Sequence, residues 1–189
     1  MIKHVFTDFF GVLASEVSPV WLRRHLSEEK AIAYKRDVIT RVDLGELTYQ
    51  DLLGYLSQMS GQTKEEIHRE WYDISKPHTE YIALLRGLKR CDVYLLSNAS
   101  SEFLRCLIQK HHLSDLFAET FISAEIRLAK PDEAYFRYCL ERLGFPAEEC
   151  VFIDDNPVNV QAAKNCGINA ILFENAGQIE EEFSRLGIC

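Results

Sequence analysis

The chain predicts an α/β fold: a parallel sheet core with helices on both faces and a small inserted helical bundle. Three observations predict it. From about residue 80, short apolar runs alternate with helical stretches, the pattern of βαβ units. The opening strand candidate, His4-Val5-Phe6-Thr7, and two later ones end on polar tips at Asp8, Ser97-Asn98 and Asp154-Asp155. The stretch from Ser15 to Ser75 lacks a strong strand pattern and reads as helices.

Each element follows from local signals. The opening run is short and apolar, stops at Asp8 and meets Gly11, so it reads as a buried strand. A helix over residues 19–26 takes Ser18 as its expected N-cap, and one over 30–44 stops at Gly45. A third, over 48–59, begins with Thr48 as N-cap and stops near Gly61. The fourth, over 63–74, opens with Thr63-Lys64-Glu65-Glu66, a capping-box pattern. A helix over 78–90 then puts Tyr81, Leu84, Leu85 and Leu88 on one face. Val93-Tyr94-Leu95-Leu96 is the next strand, and residues 101–111 form a helix striped by Phe103, Leu104, Leu107 and Ile108. Residues 117–122 are a weaker strand. A helix over 131–143 has proline and acids in its first turn and Gly144 at its end. Strand 150–153, helix 157–166, strand 169–173 and helix 179–186 complete the chain. The expected division is a core of residues 1–14 and 76–189 with a cap of residues 15–75.

The 189 residues suffice for one substantial core, and 47% hydrophobic with 26% charged residues is ordinary globular composition. A net charge of −8 argues against nucleic-acid and anionic-membrane partners, which need a basic face. No apolar run approaches the ~20 residues that span a bilayer. Lys3, His4, Thr7 and Asp8 interrupt any signal-peptide stretch, so a cytoplasmic location is expected. Cys91, Cys106, Cys139, Cys150, Cys166 and Cys189 lack C-x-x-C spacing, so they read as reduced thiols rather than zinc ligands.

In a parallel sheet the polar tips emerge on one edge, where ligands bind. Alone, Asp8 reads as a strand-end turn residue, Ser97 and Asn98 as N-cap residues, and Lys130 as a solvated loop cation. The adjacent carboxylates Asp154 and Asp155 repel each other and call for a compensating cation. Hard oxygen ligands of this kind suit Mg²⁺. Lys130 precedes a helix start, where an anion would relieve its conflict with the helix dipole. Together the tips offer a nucleophile, a metal pair, a hydroxyl and a fixed cation, the set that phosphoryl transfer through an aspartyl-phosphate requires.

These residues resemble the haloacid dehalogenase-like hydrolase superfamily, in the branch with a helical cap after the first motif. Four motif positions occur in order: Asp8-Phe9-Phe10-Gly11-Val12-Leu13, Leu95-Leu96-Ser97-Asn98, Lys130-Pro131 and Val151-Phe152-Ile153-Asp154-Asp155-Asn156. The resemblance implies a Rossmann-like core with a small four-helix cap. It implies Asp8 as nucleophile and Mg²⁺ ligand, and Ser97, Asn98 and Lys130 as holders of the transferring phosphate. Asp155 would be the principal further metal ligand with Asp154 beside it, and the Phe10 backbone carbonyl would also ligate. Asn159 would steady a metal-bound water. The implied substrate is a small phosphorylated metabolite, as for sugar-phosphate phosphatases of this family, and the expected state is a monomer or homodimer.

Phe10 departs from the phosphatase pattern. Most family phosphatases carry there a second aspartate that protonates the leaving alcohol and later activates water. Such help is typically worth ~10²–10⁴-fold in rate. Two alternatives therefore stand beside a Mg²⁺-dependent phosphatase. A 2-haloacid dehalogenase fits Phe10, but its relatives usually lack charges at Asp154-Asp155. A catalytically weak phosphate-ligand binder also fits Phe10, but leaves Asp8, Lys130 and the acidic pair unexplained. Trp21, Arg23, Arg24, Arg41 and Trp71 are the cap candidates for facing the site, against a plainer reading as packing and solvated faces.

Overall fold

A computed structural model describes residues 1–188. Its strands are β1 (His4–Thr7), β2 (Asp92–Ser97), β3 (Glu119–Ile122), β4 (Cys150–Asp154) and β5 (Asn169–Leu172), all parallel and ordered β3-β2-β1-β4-β5. This is the expected α/β fold. β1 is central, and Thr7 stands opposite Leu95 on one side and Ile153 on the other. The Asp8 amide donates to Ile153 O at 2.9 Å, continuing the pairing one step and bringing Asp8 level with Asp154.

Alternation along the strands sorts side chains to two faces. Val5, Val93, Leu95, Val151 and Ile153 face one core with Phe103, Leu107, Ile179 and Phe183. Phe6, Tyr94, Leu96 and Phe152 face the other with Tyr135, Phe136 and Ala163. Full burial of a ring such as Phe6 contributes roughly 1.5–3 kcal/mol. The strand tips are thus fixed by packing on both sides of the sheet.

Between β1 and β2 lie helices Ser18–His25, Tyr49–Ser60 and Lys64–Ile74, with a longer helical run from Glu28 to Asp43. Thr48 and Thr63 both make full capping boxes, with Asp51 and Glu66. The residue 30–44 expectation differs in detail. A π-turn, Lys35–Ile39, separates α-helical Glu28–Tyr34 from Thr40–Asp43. Ser18 is the first helical residue rather than the cap. Asp132, not Pro131, begins the next core helix: its side chain caps Ala134 N, so the helix is Glu133–Leu143. Asn175 caps the last helix, Ala176–Leu186, three residues earlier than the apolar periodicity indicates. A short helix, Ser123–Ile126, follows β3 without a sequence signal long enough to mark it.

Two connecting segments join the helical insertion to the sheet, and they are tied together. Ser15 N donates to Lys76 O at 2.9 Å, Ser15 Oγ donates to Ile74 O at 2.8 Å, and His78 N donates to Leu13 O at 2.8 Å. Ser75 is fully buried, with its hydroxyl 2.9 Å from His111 Nε2. No helix among the described residues is long and apolar enough to cross a membrane. Cys106, Cys139, Cys150 and Cys166 are free thiols, and burial pushes the Cys150 thiol up to about 12; Cys189 lies outside the described residues.

Candidate active site

Three strand tips and one loop meet at the carboxyl edge of the sheet. Asp8 follows β1, Ser97 ends β2 and Asp154 ends β4. Lys130 reaches in from the loop between Ser123–Ile126 and Glu133–Leu143. Its ammonium lies 2.7 Å from Asp154 Oδ2 and 2.9 Å from Asp8 Oδ1, and donates to Leu96 O at 2.9 Å. Lys130 is 4% exposed and Asp154 0%, so this is a buried charge cluster, viable only because each group is partnered. Burial opposes the Lys130 charge, but Asp154 and Asp8 outweigh it and hold the ammonium protonated above its ordinary range.

Asp154 has no spare capacity. Beside Lys130 it accepts from Asn156 N at 2.8 Å and from Asn159 Nδ2 at 3.0 and 3.1 Å. Asn98 is similarly committed: its side chain donates to Lys130 O at 2.7 Å and accepts from Lys130 N at 2.9 Å. Both residues therefore hold Lys130. Ser97 differs, since its buried hydroxyl has no hydrogen-bond partner among the described residues.

Asp8 accepts from Phe9 N at 2.7 Å. Burial pushes its carboxyl well up, Lys130 pulls it down, and the Asp154 charge adds to the upward push. Asp155 turns the other way from Asp154 and lines the cavity. Its carboxyl is also raised, by burial and then by Asp154. The turn after β1 passes close beneath it. Gly11 has φ +81°, and a Cβ there would lie 2.1 Å from Asp155 Oδ2. In that turn Gly11 N donates to Ala14 O, while Leu13 N and Ala14 N both donate to Phe9 O, so none of these bonds ends on the Phe10 carbonyl. The Phe10 ring packs edge-on against Phe9, with centroids 5.0 Å apart, and lines the cavity.

The cavity above these groups has a volume of about 360 Å³ and is walled by the core tips and by the helical insertion. A family model described as haloacid dehalogenase-like hydrolase matches residues 2–167. The chain belongs to this family. It is a hydrolase. It is 34% identical over 113 residues to drimenol cyclase drtB of Aspergillus calidoustus, over 57% of this chain but only 21% of that protein. The chain thus spans a minor part of that relative. D-ribitol-5-phosphate phosphatase of Bacteroides thetaiotaomicron is 21% identical, over 97% of this chain and 98% of its own. (S)-2-haloacid dehalogenase 1 of a Pseudomonas species is 23% identical, over 96% and 80%. Among solved structures, the HAD family enzyme bt-2542 of Bacteroides thetaiotaomicron superposes with a TM-score of 0.78 at 25% identity, covering 92% of this hydrolase and 94% of that chain.

The donor set of the hydrolase fits a hard divalent cation. Oxygens of Asp8, Asp154 and Asp155 lie within 4.8 Å of one another. Lys130 pairs with Asp8 and Asp154, and the Asp155 carboxylate beside them has no cation partner among the described residues. Asp8 and Asp155 retain open lone pairs, whereas the bonds of Asp154 are taken.

Of the five cap candidates only Trp71 lines the cavity. Trp21 is buried and donates to Glu70 Oε2 at 2.7 Å; Arg41 pairs with Glu46 at 3.1 Å on the surface. Arg23 donates to Pro19 O, and Arg24 lies in a separate groove with Glu70 and Lys76. The cavity's charged residues from this side are instead Glu16, Lys35 and Asp43, none of which stood out in the sequence. At 3.6 residues per turn, positions eight apart sit about 80° apart on a helix. A π-turn, Lys35–Ile39, lies within this span, and both residues line the cavity.

Proposed function

We propose that this hydrolase is a Mg²⁺-dependent phosphatase acting on a small phosphomonoester through an aspartyl-phosphate at Asp8. The observation that carries this reading is the meeting of oxygens from Asp8, Asp154 and Asp155 within 4.8 Å, with one buried lysine paired to only two of them. Asp8, Asp155 and the Phe10 carbonyl would hold Mg²⁺, with Asp154 acting through Lys130 and Asn159. Bound there, the ion neutralises phosphate charge and favours the ionised form of Asp8.

The chain's own residues supply the rest. Asp8 is held by Phe9 N and Lys130 so that one oxygen remains free to attack phosphorus. Lys130, fixed by Asn98 and Asp154, presents positive charge to the transferring group. The unpartnered Ser97 hydroxyl is a preformed donor for a phosphoryl oxygen. Residues 15–75 serve as the cap that closes the cavity and excludes water. A cavity of about 360 Å³ suits a small ligand. The full-length likeness to D-ribitol-5-phosphate phosphatase supports a phosphorylated small molecule as substrate.

The second reading is a haloacid dehalogenase, favoured by Phe10 and by the dehalogenase relative. The uncompensated charge around Asp155 weighs against it, since a haloacid is itself an anion. The deciding experiment compares phosphate release from p-nitrophenyl phosphate, with and without Mg²⁺, against chloride release from a 2-chloro acid. Mg²⁺-dependent phosphate release is expected. Chloride release without metal, and no phosphate release, overturns the proposal.

A further inference from the structure

Phe10 leaves the leaving-group oxygen without the neighbouring acid that a phosphatase needs, and the same cavity contains carboxylates from the opposite wall. Asp43 and Glu16 both line it, together with Asp8, Phe10, Lys130 and Asp155. Resting on the phosphatase reading, we propose that Asp43 is a catalytic residue that protonates the leaving alcohol in place of the side chain missing at Phe10.

Four observations support Asp43. It ends the helical run that begins at Glu28, so its carboxylate sits where the helix dipole disfavours negative charge. Its neighbour Arg41 is taken by Glu46, and the Asp43 side chain makes no hydrogen bond or ion pair among the described residues. It lines the cavity just beyond the π-turn Lys35–Ile39, and such turns recur at functional sites. Its backbone runs close to the core: Gly45, at φ +68°, passes so near Ala124 that a Cβ would lie 2.3 Å from the Ala124 carbonyl oxygen.

The groups facing Asp43 are Lys35 on its own helix, Glu16 on the connecting segment and Lys130 on the core. Burial raises its carboxyl to about 7, with Lys35 opposing and Glu16 assisting. An acid in that range is half protonated at neutral pH, which suits proton transfer. Glu16 is the weaker candidate, because its strongest charged neighbour is Asp155, at the metal end of the cavity.

The steps balance. An Asp8 carboxylate oxygen bonds to phosphorus as the P–O bond to the alcohol breaks, and the departing oxygen takes the Asp43 proton. Water then attacks phosphorus and passes a proton to the Asp43 carboxylate. The P–O bond to Asp8 breaks, releasing phosphate and restoring Asp8 as its carboxylate and Asp43 as its acid.

The test uses the full chain with Mg²⁺ and two substrates. p-Nitrophenyl phosphate has a leaving group that departs as its anion, whereas an alkyl phosphomonoester needs a proton donor. Asp43→Asn is expected to lower kcat/KM for the alkyl ester by ~10²-fold or more while changing it little for the aryl ester. With the aryl ester the variant is expected to show a p-nitrophenolate burst ahead of phosphate release, because the water step is then slow. In the wild-type protein, kcat/KM for the alkyl ester alone is expected to fall above about pH 7; this readout stands even if the variant fails to fold. Equal losses on both esters, no loss, no alkyl-specific fall in the wild-type profile, or transfer of the split to Glu16→Gln would overturn the assignment alone. Absence of phosphate release from either ester by the wild-type protein would overturn the phosphatase reading and this assignment with it.

Discussion

The Asp155 carboxylate occupies the space that a side chain on Gly11 would need. A Cβ at Gly11 would stand 2.1 Å from Asp155 Oδ2 and 2.5 Å from its Cγ. The positive φ of Gly11 and this contact make one demand: the turn after β1 must pass directly under the carboxylate that faces the cavity. Gly11 therefore sets the height of Asp155 relative to Asp8.

Gly11→Ala is expected to cost about 1–2 kcal/mol from the left-handed backbone alone. Displacement of Asp155 should cost more in function than in stability, lowering phosphate release ~10²-fold, as small misplacements of reacting groups do. Paired denaturant melts and turnover assays check this. A variant that melts lower but turns over normally would separate Gly11 from Asp155 placement.

Lys130→Met removes the single ammonium shared by Asp8 and Asp154. Breaking a buried pair by deleting one partner costs roughly 3–5 kcal/mol, because the remaining charges stay buried. Urea unfolding at neutral pH is expected to show a loss in that range. A loss below about 1 kcal/mol would mean that the two carboxylates are protonated or solvated in the native state.

Mg²⁺ should raise thermal stability logarithmically with its concentration above Kd, by about 2.7 kcal/mol at a hundredfold excess. Asp155→Asn is expected to remove most of this shift without lowering the metal-free melting temperature, since Asp155 has only a minor part in holding the fold. Isothermal titration of Mg²⁺ into both proteins gives the second readout. An undiminished shift in the variant would take Asp155 out of the ligand set.

His111 links acid sensitivity to the join between the insertion and the core. Its Nε2 lies 2.9 Å from buried Ser75 Oγ, and burial, with Lys110, Lys76 and His112 assisting, lowers its pKa to about 4. A histidine depressed from 6.5 resists protonation when folded. Its contribution is thus fully present above about pH 6.5 and is lost as pH falls from 6.5 toward 4. At full strength the shift equals about 3 kcal/mol, reduced to about 1 kcal/mol by solvent screening of a half-exposed ring. Stability curves of the wild-type protein and His111→Gln are expected to converge by that amount as pH falls through this window. Parallel curves would exclude the linkage.

Legibility in the sequence tracked locality. The strand tips could be read because each apolar run is short and ends on a polar residue, and a parallel sheet must bring such ends together. Thr48 and Thr63 could be read because a capping box lies within four residues. The partition of work between Asp154 and Asp155 came from the family resemblance alone: by residue type adjacent carboxylates look alike until Lys130 and Asn159 are seen to take one of them. Lys35 and Asp43 were hidden for a different reason, since charged residues on a helix read as a solvated face until the cavity they line is seen. Arg23, Arg24 and Arg41 attracted attention by their charge, but charged side chains on outer helix faces are retained there by solvation.

The central claim is a phosphoryl group carried on Asp8. The most direct measurement is acid quenching of the Mg²⁺-supplied protein during turnover of a phosphomonoester, followed by peptide mass spectrometry. The account predicts a phosphoryl mass increment on the peptide containing Asp8, absent in Asp8→Asn, which should fold normally and release no phosphate. Phosphate release with no such adduct, or undiminished release by Asp8→Asn, would contradict it.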